Sequence, residues 1–191
     1  MYVGTLAKGI SNKCSPTRAV MRILAIDPGY DRLGVAVVEG DASRPTLVWS
    51  GCVMPEKGAR ESRLAHVSRA VTEAIREYKP DALAIETLFF NKNIKTAVGV
   101  AEARGAILAA AGIASVTVVE YSPQQVKSAV TGHGGADKDA VARMIPKLLS
   151  LPGKKRLDDE LDAIAIGITA LSSASKPEIG IHTWRKMYLH E

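Results

Sequence analysis

MRILAIDPG, residues 21–29, is the stretch of sequence that decides the fold. Its short, continuous apolar run is typical of a buried strand, and the Asp-Pro-Gly that follows is a turn signal. We therefore predict a strand at Arg22–Ile26 that ends against Asp27. An acid in this position lies at the edge of the sheet, where α/β folds bind ligands, although Asp before Pro-Gly is equally common as a turn former.

The chain that follows extends this strand into a mixed sheet. Two further strands, Leu33–Glu39 and Thr46–Val53, follow short turns and predict an antiparallel meander. Helices at Arg60–Lys79 and Lys95–Ala111 then alternate with strands at Ala82–Glu86 and Ser115–Glu120. Three consecutive helices follow, at Ser122–Val130, Lys138–Leu151 and Asp159–Ser173. Gly112 is expected to close the second helix. This order predicts an α/β fold, with helices packed on a mixed five-stranded sheet.

The composition is that of an ordinary globular protein. The chain has 191 residues, of which 47% are hydrophobic and 24% are charged. No apolar run is long enough for a membrane helix, and the first twenty residues lack a signal-peptide core, so we expect a cytoplasmic protein. Cys14 and Cys52 belong to no Cys/His cluster, which argues against a structural zinc site or a disulfide framework.

The net charge of +5 is concentrated at the start of the chain. Residues 1–20 contain three basic side chains and no acid, so the rest of the chain carries only +2. We interpret residues 1–20 as a flexible extension, with Met21 as a possible functional start, residues 21–173 as one domain and residues 174–191 as a tail. The basic balance is compatible with nucleic-acid binding, but a basic tail on a near-neutral domain is equally consistent with it.

Acidic residues recur where apolar runs end. Glu86 ends a buried strand as Asp27 does, in a place where a surface turn would more often use Asn, Asp or Gly. Asp159 and Asp162 are three residues apart on a predicted helix, so both lie on one helix face. The helix dipole explains acids at residues 158–160 well, but it explains Asp162 less well, because Asp162 borders the apolar face.

Four such acids could converge on one pocket. Clustered carboxylates do not all stay ionised at neutral pH without a cation, and Mg²⁺ prefers oxygen ligands. Two such ions can activate a water molecule and stabilise the leaving oxygen in phosphodiester cleavage. Periodicity suggests the cluster but leaves its convergence open.

At this point the sequence resembles the RuvC family of Holliday-junction resolvases. The resemblance covers about residues 21–173 and is specific because its motifs occur in order at matching spacings. They are Ile26-Asp27-Pro28-Gly29 with Gly34, Ala84–Phe90 with Asn91-Lys92-Asn93, Ala103-Arg104-Gly105, Gln125-Val126-Lys127, Ala136-Asp137-Lys138, Leu148-Leu149 with Leu151-Pro152, and Asp159–Ala163.

The resemblance implies a dimer with a ribonuclease H-like fold, helices on both sheet faces, and Mg²⁺- or Mn²⁺-dependent cutting of two opposed strands of a four-way DNA junction. Two ions per subunit and the RuvA–RuvB branch-migration complex as a partner are further expectations. The implied catalytic and metal-binding residues are Asp27, Glu86, Asp159 and Asp162, and the implied DNA contacts are Phe89, Lys127 and Lys138.

Two departures and three rival functions stay open. Residues 1–20 have no counterpart in typical members of the family, and one extra residue before Asp159 makes Asp158 a rival for the third acidic position. An actin-like ATP-dependent phosphotransferase would share the sheet, but the chain shows no later Gly-rich adenosine loop. The sequence is also compatible with a YqgF-like nuclease relative and with a non-catalytic junction-binding protein, although retention of all four acids argues against the last of these.

Overall fold

A computed structural model describes residues 20–88, 94–151, 153 and 155–174 of the chain. Five strands and five helices occur in the predicted order. The strands are β1 (Met21–Asp27), β2 (Leu33–Gly40), β3 (Thr46–Val53), β4 (Ala82–Glu86) and β5 (Thr117–Tyr121), and the helices are α1 (Arg60–Tyr78), α2 (Ile94–Ile113), α3 (Pro123–Thr131), α4 (Lys138–Leu148) and α5 (Asp158–Ala174). Of the helices described, none is both long and apolar enough to cross a bilayer.

The five strands form one mixed sheet in the order β3-β2-β1-β4-β5. The pairs β1–β2 and β2–β3 are antiparallel, whereas β1–β4 and β4–β5 are parallel. β1 is therefore the central strand, and it has a parallel neighbour whose carboxyl end lies at the same edge of the sheet. This arrangement confirms the predicted mixed α/β sheet.

Alternate side chains of the central strands build two cores, one on each face of the sheet. Leu24 and Ile26 face α1 and α2, while Ile23 and Ala25 face α3, α4 and α5. Helix α5 lies close against the second face: a methyl group at Gly167 would come 2.7 Å from a methyl carbon of Val38. The predicted placement of helices on both faces is therefore confirmed.

Two predicted helix ends were wrong. Helix α2 continues through Gly112, and Ser115 takes the left-handed conformation instead, because the amides of Ser115 and Val116 bond back to Gly112 and Ala111. Helix α4 ends at Leu148 rather than Leu151. Its last turn contains Pro146. The next residue, Leu149, has an extended backbone conformation, and its side chain is buried in the core.

The predicted division into a domain at 21–173 and two tails remains a prediction. Residues 1–19 and 175–191 lie outside the described part of the chain.

Candidate active site

Asp27 and Glu86 lie side by side at the carboxyl edge of the sheet. Asp27 is the last residue of β1 and Glu86 is the last residue of β4. The two strands are parallel, and Ile26 pairs with Ile85, so the next residue along each strand is the acid. Both Ile side chains are fully buried, which fixes the ends of the strands and therefore the positions of the two carboxyl groups.

The first turn of α5 brings two more acids to this edge. Gly34 on β2 is the ladder partner of Asp27, and a methyl group at Gly34 would overlap the main-chain oxygen of Asp159. Only glycine lets the backbones of β2 and α5 approach so closely. Asp159 and Asp162 consequently lie close enough to Asp27 for both charges to raise its pKa. Their spacing had predicted one shared helix face and left this convergence open.

The acidic segment at the start of α5 sends its side chains in different directions. The side chain of Asp158 is 75% exposed, whereas those of Asp159 and Asp162 are 22% and 29% exposed. Glu160 is buried on the other side, where Ser50 Oγ donates to its Oε1 at 2.6 Å and Arg156 Nε lies 3.3 Å from the same oxygen. The structure therefore favours Asp159 over Asp158 as the third member of the acidic site.

The acids interact electrostatically as one cluster. Burial raises the pKa of Asp27 from an ordinary value of 3.8 to about 7, and the negative charges of Asp162, Glu86 and Asp159 contribute to this rise in that order. Burial and Asp162 likewise raise the pKa of Glu86, while Lys127 and Lys138 lower it. A site that keeps a carboxyl group close to its midpoint at neutral pH favours a bound cation, which would restore ionisation.

Cationic side chains already contact two of these acids. Lys138 Nζ donates to Asp162 Oδ2 at 2.9 Å, and Arg32 Nε lies 3.1 Å from Asp159 Oδ2. Burial is the largest influence on the pKa of Asp162, which is raised although Lys138 opposes the change. Lys127 acts on Glu86 across the site. The two lysines singled out by sequence therefore lie at the acidic cluster, while Phe89 lies outside the described residues.

The donor set suits a hard divalent cation. All four acids offer carboxylate oxygens, and Asp159 Oδ2 is buried without a hydrogen-bond donor, because Arg32 approaches it outside hydrogen-bond geometry. With the side chains as they stand, the described residues contain no group of three acid, His or Cys side chains arranged to hold a metal ion. A cation held by Asp159 and Asp162 would take the places that Arg32 and Lys138 occupy beside them.

Sequence reasoning gave no role to two buried arginines that hold the backbone beside the acids, although Arg104 lies in the Ala103-Arg104-Gly105 motif. Arg104 of α2 donates to the main-chain oxygen of Glu86, and Arg63 of α1 donates to that of Tyr30 in the turn after Asp27. Arg104 is the one charged residue between positions 103 and 113. A single charge in such an apolar helix was the available signal.

Comparison with known proteins identifies close relatives. Residues 23–170 match the family model described as crossover junction endodeoxyribonuclease RuvC. The RuvC protein of Brevibacillus brevis is 44% identical over 150 residues, covering 78% of this chain and 90% of that protein. The RuvC protein of Rubrobacter xylanophilus is 46% identical over 147 residues, covering 76% and 82%.

Solved structures give the same match. The structure of T. thermophilus RuvC in complex with a Holliday junction substrate superimposes with a TM-score of 0.76 at 35% identity, covering 81% of this chain and 94% of that one. A second Thermus thermophilus RuvC structure gives a TM-score of 0.73 at 36% identity, covering 81% and 95%. These structures confirm the ribonuclease H-like fold expected from the resemblance.

Proposed function

The chain belongs to the RuvC family of crossover junction endodeoxyribonucleases, and we propose that it resolves four-way DNA junctions by metal-dependent hydrolysis of phosphodiesters in two opposed strands. The observation that carries the proposal is the meeting of Asp27, Glu86, Asp159 and Asp162 at one edge of the sheet. This family assignment leaves nothing in favour of a phosphotransferase, a YqgF-like relative or a non-catalytic binding protein.

The four acids are the proposed ligands of Mg²⁺, for which Mn²⁺ can substitute, with two ions in each subunit. Bound divalent cations would supply an activated water and a stabilised leaving oxygen. Asp27 is central among the ligands, because its pKa responds to the other three acids. Asp27 is half-buried and directly follows the fully buried Ile26.

Lys127 and Lys138 are the proposed contacts to the phosphates of the junction. Lys138 is 59% exposed and already lies within 2.9 Å of Asp162, so its amino group borders the reacting centre. A cation bound at Asp162 would free the amino group of Lys138 from this ion pair, so that it could contact a phosphate. Phe89 is the third proposed DNA contact, through stacking on bases at the junction centre.

A homodimer is the proposed active form, because two opposed strands require two sites related by a twofold axis. Helix α2 supports this proposal. Its sheet-facing side consists of buried residues such as Ile107, while Val98 is 47% exposed and Gly105 has open space before it. Val98 and Gly105 therefore offer a small-residue surface that the sheet does not cover. The RuvA–RuvB complex as a partner and the cytoplasmic location remain predictions.

The test is cleavage of a synthetic four-way junction with each strand labelled in turn. D27N and E86Q are expected to lose cutting and keep junction binding, because phosphate contacts supply most of the affinity. The α5 acids offer a matched pair one residue apart: D159N should lose cutting, while D158N should cut like the wild type. Near-normal cutting by D27N or E86Q would contradict the proposed role of these carboxylates in metal-dependent hydrolysis.

The dimer has its own test, which does not depend on cleavage. V98K should shift the chain toward monomer in light scattering, because it places a charge on the exposed side of α2. M54K is the matched control, since Met54 is 59% exposed on the segment after β3. A wild-type chain that is monomeric at micromolar concentration and still cuts junctions would contradict the dimer.

A further inference from the structure

Arg104 is a buried cation fixed at two points. It projects from α2 with its side chain 10% exposed. One terminal nitrogen, Nη1, donates to the main-chain oxygen of Glu86 at 2.8 Å. The other, Nη2, lies 2.6 Å from Glu120 Oε2 on β5. The planar guanidinium therefore joins the end of β4 to the neighbouring strand with little freedom to rotate.

Arg104 contacts Glu86 at the point where the hydrogen-bonded ladder between β1 and β4 ends. On one side, the ladder between β1 and β4 ends at Ile26 and Ile85, one residue before the acid. On the other side, Glu86 pairs with Tyr121, and the amide of Thr87 donates to the oxygen of Tyr121 at 2.9 Å. The oxygen of Glu86 is taken by Arg104, which fixes the direction of the chain at the acid.

A contribution to the stability of the fold does not by itself explain why a charged residue occupies position 104. A buried guanidinium loses its hydration, and a well-packed apolar side chain of similar size is often at least as stabilising. The partner of Arg104 is half exposed, so its attraction is partly screened by water. The rest of α2 from Ala103 to Ile113 is apolar, which makes an apolar residue the expected choice.

A second buried arginine makes a similar pair of contacts in the turn after β1. Arg63 of α1, also 10% exposed, donates to the oxygen of Tyr30 at 2.8 Å and to Asp31 Oδ1 at 2.7 Å. Its guanidinium also lies 4.2 Å from the centre of the Tyr30 ring. A buried arginine from the same helical layer thus holds the backbone at the last residue of β4 and, for β1, at Tyr30 in the turn that follows the strand.

We propose that Arg104, oriented by Glu120, is a positioning residue that sets the Glu86 carboxylate for binding the divalent cation. The inference rests on the proposed function for the role of Glu86. It assigns Arg104 no contact with DNA or with the cation. Its predicted effect is on the affinity for the cation and not on the affinity for the junction.

The test measures Mn²⁺ binding directly, by electron paramagnetic resonance on the intact protein without DNA. The variants are R104K, which keeps the charge but replaces the rigid two-nitrogen fork with a single amino group, and E120Q, which removes the charged partner of Arg104 at a half-exposed residue. Both should weaken Mn²⁺ binding by about tenfold, the lower end of what outer-shell partners of ligands contribute. R60K and E102Q change the Arg60–Glu102 pair between α1 and α2 and should leave Mn²⁺ binding unchanged.

Cleavage at increasing Mn²⁺ concentration provides the second readout. The half-saturating Mn²⁺ concentration should rise by the same factor, and excess Mn²⁺ should restore the rate of E120Q, with junction affinity and melting temperature unchanged. The proposal would be overturned if both R104K and E120Q bound Mn²⁺ with wild-type affinity. It would also be overturned if the variants were destabilised and bound fewer Mn²⁺ ions at normal affinity, because that result indicates a purely structural role. If the wild type cuts no junction, the proposed function fails, and Mn²⁺ binding still decides the role of Arg104.

Discussion

Replacing Asp27 with Asn should make the metal-free protein more stable at neutral and alkaline pH. The Asp27 carboxyl group is half-buried at the end of β1. Desolvation and then the charges of three other acids raise its pKa from 3.8 to about 7. Between these two values the folded state keeps the proton that the unfolded state has released. The free energy of unfolding therefore falls as pH rises from about 4 to about 7, and the loss is complete above that.

The size of this effect follows from the pKa change. At about 1.36 kcal/mol for each pKa unit, a rise from 3.8 to about 7 corresponds to about 4 kcal/mol. Water that enters the site on ionisation reduces the cost, so this figure is an upper limit. It is nevertheless a large part of a typical total stability of roughly 5–15 kcal/mol. In a chain of this size it corresponds to roughly 10 °C in melting temperature.

The assay is urea unfolding of wild type and D27N in a chelator at a series of pH values from about 4 to about 8. The two proteins should be similar in stability at the acid end and diverge toward the alkaline end, with D27N the more stable. E73Q is the matched control, because it makes an acid-to-amide change at an exposed position of α1. Mn²⁺ should then raise the stability of the wild type and have much less effect on D27N. Parallel curves for wild type and D27N across the range would refute the reasoning.

Three other changes test different parts of the site. G34A should abolish cutting and lower the free energy of unfolding, because the added methyl group overlaps the main-chain oxygen of Asp159. Unchanged cutting rates would show that α5 can shift away from β2 without loss of activity. K127A and K138A should each weaken junction binding and make its salt dependence shallower by roughly one unit of slope, as read from binding titrations at several salt concentrations; an unchanged slope in both would exclude phosphate contacts. F89A should slow cutting while the melting temperature stays within a few degrees of the wild type. Truncating a Phe in the core would instead lower the free energy of unfolding by roughly 3–5 kcal/mol. A large loss of thermal stability, with normal cutting by the folded protein, would therefore assign Phe89 to the core.

The fold was predictable because its signals are local. The first three strands alternate with short turns, and β3 and β4 have the bounds that were predicted. The helix ends were less predictable, since they depend on contacts that a local pattern does not contain. Gly112 was a reasonable end for α2, yet the bonds from Ser115 and Val116 moved the left-handed position three residues further along.

The acids of the site were found from the sequence for a similar reason. Asp27 and Glu86 each end an apolar run, and parallel strands place such ends at one edge. The contacts of Arg32, Arg104 and Lys138 were not predictable in this way, because they depend on which helix face lies over which strand end. Glu160 illustrates the same limit: it lies between two site acids in sequence, but it is buried against Ser50 instead.

Helix α5 has a consequence for the protein during its synthesis. This helix supplies two of the four acids and also the apolar surface that covers one face of the central strands. While the ribosome has not yet released it, the sheet lacks half of its cover and Asp27 lacks two of its neighbours. We therefore expect the nascent chain to be inactive until α5 has emerged, because the segment that completes the fold also carries Asp159 and Asp162.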